Sequence, residues 1–312
     1  MDVFRSVSSY PAGEARTVLT IGNFDGVHLA HREICRIIRA EAARRGARSA
    51  VLTFEPHPLS VVAPERRPAL MTSLDEKLAR LEAQEVDAVV VHPFTPEMAR
   101  TPAEEFIRRL LHEGLRAERV VVGFNFRFGR GRAGDVDLLR AEGKKLGFET
   151  QTLEPFMFEG RRVSSTGIRR LLAAGEVEEA ARLLGQPHLI AGPVIPGEGR
   201  GRMIGIPTAN LAPPPVLVPA DGVYACWARL GSRGARRLPA VTNIGNRPTF
   251  EGARHSIETH LLEGGDDLYG AELRLEFVCR LREERKFPGP EALVAQIRKD
   301  IEEGRRRLEG MH

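Results

Sequence analysis

The sequence predicts two folded parts: an α/β part on a parallel, doubly wound sheet over residues 1–185, then a small antiparallel β-barrel with a C-terminal helix over residues 186–312. Three observations predict this. Short apolar runs at Thr17–Ile21, Ser49–Phe54, Val86–Val91 and Arg119–Gly123 alternate with stretches of helical period, the pattern of βαβ units. After Pro187 that period vanishes until the last helix, and strand-length runs alternate with Gly- and Pro-rich turns. The length, 312 residues, suffices for two cores of ordinary size.

Composition narrows the class. With 42% hydrophobic and 28% charged residues and a mean hydropathy of −0.24, the chain is an ordinary globular one. A net charge of +4, carried mostly by arginine, favours phosphorylated small molecules. Acids interspersed along the chain argue against a nucleic-acid stripe. Cys35, Cys226 and Cys279 lack metal-ligand spacing and suit a reducing compartment. No apolar run approaches the roughly 18 residues of a membrane span, and the N-terminus lacks a signal-peptide core. These features predict a cytoplasmic monomer or weak homo-oligomer with neither a membrane nor a nucleic-acid partner.

In the first part, Thr17–Ile21 runs into the turn Gly22-Asn23-Phe24-Asp25-Gly26, followed by a helix bearing Ile34, Ile37 and Ile38. Strand, glycine turn and helix start form an anion site, because backbone N–H groups and the helix dipole face whatever lies above the turn. His28 and His31, three apart, fall on nearly the same side of the first helical turn. There they can hold phosphates whose charge grows in a transition state; residue type alone fits a solvated helix start equally well. Ser49–Phe54 ends in Glu55-Pro56-His57-Pro58, a stiff loop at the strand ends where open α/β sheets bind ligands, or a purely structural turn. Thr72–Leu81 reads as a capped helix, Val86–Val91 as a strand and Pro102–Leu111 as a helix with an early proline.

Strand Arg119–Gly123 opens on a loop in which Phe124, Phe126 and Phe128 alternate with Asn125 and Arg127. Aromatics stack on planar rings and arginines meet phosphates, so a nucleotide-sized ligand suits it. Helix Asp137–Leu146 and strand Gly147–Leu153 complete a Rossmann-like alternation. Ser164, Ser165 and Thr166, with Arg169 one turn later, offer a second phosphate-ready helix start, with simple N-capping as the alternative. The helix pair Ile168–Ala174 and Glu176–Leu184 leads to the boundary at Gly185.

In the second part, Gly197, Gly199, Gly201 and Gly205 around Arg200 make a backbone able to wrap phosphates. Thr208 and Asn210, two apart on extended chain, point one way. With phosphate oxygens and water they could complete the oxygen shell that Mg²⁺ prefers; a polar turn is the plainer reading. Ser256–Leu262 reads as a strand with Glu258 and His260 on one face. A carboxylate on a rigid strand suits a general base, though a surface glutamate paired with arginine fits the same pattern. Pro290–Leu308 is an amphipathic terminal helix.

GNFDGVHLAH, TFEPHP, GFNFRFG and SSTGIRRLL, in this order, closely resemble the adenylyltransferase module of bacterial bifunctional riboflavin kinase/FAD synthetases, of the HxGH nucleotidyltransferase superfamily. GPVIPGEGRGRMIGIPTANL, DGVYA, NIGNRPTF, SIETHLL and LREERKF resemble the riboflavin kinase module of the same family. The resemblance implies phosphorylation of riboflavin to FMN by Mg-ATP, with Glu258 as base and Thr208 and Asn210 at the Mg²⁺. It also implies adenylylation of FMN to FAD with release of pyrophosphate. For that step it assigns His28, His31, Arg169, the Gly22–Gly26 turn, Asn125, Arg161, Ser164, Ser165 and Thr166 to the ATP phosphates. Phe54, Pro56, Pro58 and Phe126 would lie against the flavin or adenine, and Arg282 beside the kinase's flavin. Ala30 departs from the family's usual Gly; alanine fits helical geometry, so a modest effect on adenylylation is expected. Asn125 stands where many relatives carry an acid. Two rivals are a riboflavin kinase with an inactive N-terminal appendage and a flavin sensor without turnover. Glu258, Thr208 and both histidines argue against the second.

Overall fold

The computed structural model describes the chain apart from residues 12, 14, 15, 198, 200, 202, 203, 232–235, 250, 251, 265–267 and 310–312, and the side chains of 246–249 and 252–255. It divides into two compact units, residues 1–68 with 73–164, and residues 69–72 with 165–312.

The first unit is a six-stranded, all-parallel sheet: β1 (Asp2–Phe4), β2 (Thr17–Ile21), β3 (Arg48–Glu55), β4 (Ala88–Pro93), β5 (Ala117–Gly123) and β6 (Glu149–Leu153), in the order β1-β4-β3-β2-β5-β6. Its helices are α1 (Leu29–Arg45), α2 (Pro58–Val62), α3 (Leu74–Glu82), α4 (Pro96–Arg100), α5 (Ala103–Phe106, continuing as a π-helix over Ile107–Gly114) and α6 (Val136–Leu146). The central strands are apolar throughout because both faces are covered. Val18, Val51, Val89 and Val121 pack on Cys35, Ile38 and Ala42 of α1 and Leu81 of α3. Leu19, Leu52, Val90 and Val120 pack on Ile107, Leu111 and Leu139. Each such side chain contributes about 1.5–3 kcal/mol of transfer free energy, largely offset by the entropy of ordering the chain.

Several short elements have no signature in the sequence. Strand β1 has only three residues, α2 and α4 five each, and the hairpin β7 (Met157–Phe158) with β8 (Arg161–Arg162) two per strand. None completes enough periods to be read as a pattern.

In the second unit six antiparallel strands close a barrel: β9 (His188–Ile195), β10 (Ala209–Leu211), β11 (Gly222–Leu230), β12 (Leu238–Thr249), β13 (Gly252–Leu261) and β14 (Glu272–Arg282), in the order β10-β13-β12-β11-β14-β9. Thr242 and Thr259, both buried, satisfy each other's hydroxyls at 3.1 Å. Helix α7 (Ser165–Ala174) and α8 (Val177–Leu184) group with this barrel, as does the terminal helix α9 (Pro290–Glu309), whose Leu308 packs on Ala225, Val278 and Cys279. The three cysteines are free and buried; burial pushes the Cys35 thiol up to about 12 and that of Cys279 up to about 11, so they act as apolar filler.

Candidate active sites

The order of the first sheet sets the first site. Strands β3 and β5 flank β2 on opposite sides, so the carboxyl end of β2 is the switch point at which open α/β sheets bind ligands. The Gly22–His28 turn stands there. Gly22 N–H donates to Leu52 O at 3.1 Å, and Thr53 Oγ1 donates to Asn23 O at 3.2 Å. Phe24 (φ 50°), Gly26 (φ 82°) and Val27 (φ 44°) all occupy left-handed backbone. Such a conformation is costly for a β-branched residue and is held only where surrounding bonds over-determine it.

Those bonds come from α1 and α3. Arg80 Nη1 donates to Gly26 O at 3.1 Å while its Nε binds Glu76 at 3.0 Å, and Arg32 Nε donates to Val27 O at 3.2 Å. Because C=O and N–H of one peptide point oppositely, holding Val27 O turns the His28 N–H to the other side. Lys77 is buried beside this turn. Burial pushes its ammonium below the usual value, against the pull of Glu55 and Asp25. Burial, and then the nearby Arg80 charge, likewise lower Arg32.

Above the turn, the His28 and His31 rings stack at 3.7 Å and 12°, and His31 also lies on Phe24 at 4.6 Å. The spacing of three thus puts both imidazoles on one side of α1, and Phe24 and its neighbours fix their orientation. Ala30 lies in the first turn of α1, where no positive φ is required. His57 adds a bond not readable from the sequence. Its Nδ1 accepts from Leu59 N–H at 3.2 Å, and Asn23 Nδ2 lies 3.0 Å from its Nε2, tying the strand-end loop to the turn.

The remaining first-unit candidates are spread around the sheet's upper end. Phe54 is packed in an aromatic cluster, 5.6 Å from Phe94 and 6.5 Å from Phe106. Pro56 is exposed after a cis peptide, and Pro58 opens α2 half-buried. Phe126 stacks on Phe128 at 5.3 Å, while Phe124 is exposed under the Arg162 guanidinium, also 5.3 Å away. Asn125 and Arg161 are exposed. Ser164 is the last residue of the unit; Ser165, Thr166 and Arg169 lie in the second, where Arg169 Nε donates to Ala69 O at 3.0 Å.

In the barrel, registry builds the second site. Glu258 on β13 pairs with Asn210 on β10 and with Asn243 on β12, so the three form one cross-strand row. Glu258 and Asn210 are half-buried on the face opposite the barrel core, which Ile257, Thr259 and Leu261 fill. His260, on that same face, donates from Nδ1 to Pro207 O at 2.8 Å and so anchors the segment bearing Thr208. The glycine segment closes over these groups. A Cβ on Gly197 would overlap the Asn210 amide, and one on Gly201 would overlap Ile206 O and lie 3.1 Å from Thr208 Oγ1. Gly199 and Gly205 have φ of 71° and 75°. Arg200 lies outside the described residues. Glu284 reaches the same face, its carboxylate filling the place a Gly245 side chain would take. Arg282 is engaged by Asp300, with its Nε 3.0 Å and Nη2 2.8 Å from the carboxylate, and lies over Phe287.

Sequence reasoning missed Arg80, Lys77, Arg32, Asn243 and Glu284. One signal was readable: Lys77 and Arg80 sit among Leu74, Leu78 and Leu81, on the stripe α3 buries.

Among the described residues no helix is long and apolar enough to cross a membrane, and no group of three or more His, Cys, Asp or Glu is placed to hold a metal. Comparison with known proteins follows the same division. A family model described as FAD synthetase matches residues 11–167, and one described as riboflavin kinase matches residues 184–308. The bifunctional riboflavin kinase/FMN adenylyltransferase of Escherichia coli K12 is 41% identical over 91% of this chain and 90% of its own. That of Pseudomonas fluorescens is 37% identical over 96% of each, and that of Bacillus subtilis 36% identical over 93% and 92%. A crystal structure described as a macrolide-efflux protein from Streptococcus pneumoniae superposes with a TM-score of 0.86 at 27% identity, covering 97% of this chain and 98% of that one.

Proposed function

We infer a division of labour between two sets of residues from one premise: the chain belongs to the family of bifunctional riboflavin kinase/FMN adenylyltransferases. The enzyme phosphorylates riboflavin to FMN and adenylylates FMN to FAD, with ATP as co-substrate of each reaction. We assign the first reaction to residues 186–312 and the second to residues 1–185.

In the kinase, Glu258 takes the proton of the ribityl 5′-hydroxyl as that oxygen attacks the γ-phosphorus of ATP, and ADP leaves. Asn210 and Asn243 stand on either side of Glu258 in the row, and Gly197, Gly199, Gly201 and Gly205 let the backbone close on the phosphates. Thr208 and Asn210 offer hard neutral oxygens of the kind Mg²⁺ takes beside nucleotide phosphates, where the ion would neutralise developing charge.

In adenylylation, an FMN phosphate oxygen attacks the α-phosphorus of ATP and pyrophosphate leaves. The nucleophile is already anionic, so no base is needed. His28, His31 and the turn amides stabilise the growing phosphate charge, with Arg32, Lys77 and Arg80 adding positive potential from behind the turn. Asn125, Arg161, Ser164, Ser165, Thr166 and Arg169 take phosphate contacts and Phe54, Pro56, Pro58 and Phe126 the ring contacts on the family resemblance, as does Arg282 for the kinase's flavin. A monomer or weak homo-oligomer in the cytoplasm, where ATP is abundant, suits these small substrates and the buried free thiols.

The observation that supports this reading is that the stacked pair His28–His31 lies in the first compact unit and the row Asn210–Glu258–Asn243 in the second. Incubation with riboflavin and Mg-ATP, followed by chromatography of the flavins, tests it. FMN and then FAD should accumulate; FMN alone would mean that the histidine site is inactive.

A further inference from the structure

The terminal helix α9 turns one row of side chains toward the barrel. Gln296, Asp300, Gly304 and Leu308, four apart, fall on one face. Leu308 packs on Ala225, Val278 and Cys279. A Cβ on Gly304 would lie 2.6 Å from Val241 Cγ2, so the helix lies as close to β12 as its backbone allows. Asp300 stands in this row as a buried carboxylate, which is tolerated there only when paired.

Its partner is Arg282, the last residue of β14. Arg282 Nε lies 3.0 Å from both carboxylate oxygens and Nη2 2.8 Å from Oδ2, while Gln296 Nε2 donates to Oδ1 at 2.7 Å. Nη1 of the same guanidinium donates to Glu283 O at 2.9 Å. The chain from Glu283 to Phe287 is neither helix nor strand, and side chains set its course. Arg285 donates to Gln296 Oε1, and the Arg282 and Arg285 guanidinia lie over the Phe287 ring at 5.6 and 5.0 Å.

This segment borders the face that carries Glu258. Glu284 puts its carboxylate where a Gly245 side chain would stand. Gly245 is two residues along β12 from Asn243, hence on the same face, and Asn243 pairs with Glu258. A carboxylate so placed accepts hydrogen bonds from the hydroxyls of a polyol chain. The ribityl chain is the part of riboflavin that must bring its 5′-hydroxyl to Glu258. All these residues belong to the second unit.

We propose that Asp300 is a positioning residue for riboflavin in the kinase reaction: by clasping Arg282 from α9 it holds residues 283–287, and with them the Glu284 carboxylate, beside the Glu258 row. This rests on the assignment of phosphoryl transfer to the Glu258 face. An asparagine keeps the shape of Asp300 but loses its charge and one acceptor, so the two-pronged hold on Arg282 goes.

Asp300→Asn in the full chain tests the proposal. KM for riboflavin should rise about tenfold, with KM for ATP within about twofold and kcat within about threefold, the pattern of lost substrate binding. Amide exchange over residues 283–287 should speed up. In a Glu284→Ala background the same substitution should change KM for riboflavin by less than about twofold, because both act through one carboxylate. A purely structural Asp300 would lower the folded fraction, and so kcat, at unchanged KM. That result, an equal rise in both KM values, or full additivity with Glu284→Ala overturns the proposal. If Asp300→Asn fails to fold, Gln296→Ala, which keeps the ion pair but removes its brace, carries the test. It should raise KM for riboflavin alone about threefold, and an unchanged value overturns the proposal. Glu258→Gln separates the two levels: if it leaves FMN formation intact, the assignment of the face is at fault and the proposal falls with it. If it abolishes FMN formation while Asp300→Asn leaves KM for riboflavin unchanged, only the role of Asp300 is wrong.

Discussion

Glu258 and Lys77 show what single positions contribute. On the proposal that Glu258 is the kinase's general base, Glu258→Gln keeps the row with Asn210 and Asn243 but removes the proton acceptor. FMN formation should fall by about 10²–10⁴-fold, the range for loss of general base catalysis. FMN-to-FAD conversion, assayed with FMN supplied, should remain near normal; loss of both would undo the two-site division. Lys77 is a different kind of residue, a cation buried under the strained turn. Its folded-state pKa is lowered, so the folded protein binds this proton more weakly than the unfolded chain does. Protonation therefore favours unfolding, and the stability linked to Lys77 is lost as pH falls through its folded value. Lys77→Met should flatten that pH dependence of the melting temperature while slowing FAD formation. A variant as pH-sensitive as the parent would show that another group is responsible.

Elements make these residues usable. The turn between β2 and α1 works because Gly26 takes φ 82° and because Arg80 and Arg32 hold its carbonyls. A side chain at Gly26 would cost about 1–2 kcal/mol in left-handed backbone alone, so Gly26→Ala should lower both thermal stability and FAD formation, leaving the kinase rate unchanged. Ala30→Gly should do much less. Position 30 is already helical, and the substitution restores only the family's usual residue, so FAD formation should shift within about threefold and FMN formation not at all. Both changes can be read from one chromatographic assay. The turn was legible in the sequence because strand, glycines and helix are contiguous. Its support from α3 was not, because Gly26 and Arg80 are far apart in the chain. Lys77 and Arg80 on an apolar stripe were the only local trace.

The whole molecule carries two unrelated phosphate chemistries on two folds. If Thr208 and Asn210 hold Mg²⁺ against ATP, removal of divalent cations with EDTA should stop FMN formation, and added Mg²⁺ should restore it. Persistence of the kinase reaction in EDTA would refute that ligand set. The sequence by itself determined the fold class of each half. Periods of two and of 3.6 residues, glycine turns and motif order are local properties, and they survive without any knowledge of packing. Tertiary structure alone decided which residues meet across the chain. It brought Asn210, Asn243 and Glu258 into one row, set Arg80 beneath Gly26, and grouped α7 with the barrel's unit. These depend on strand register and on the closing of long loops, for which a linear sequence carries no periodic signal.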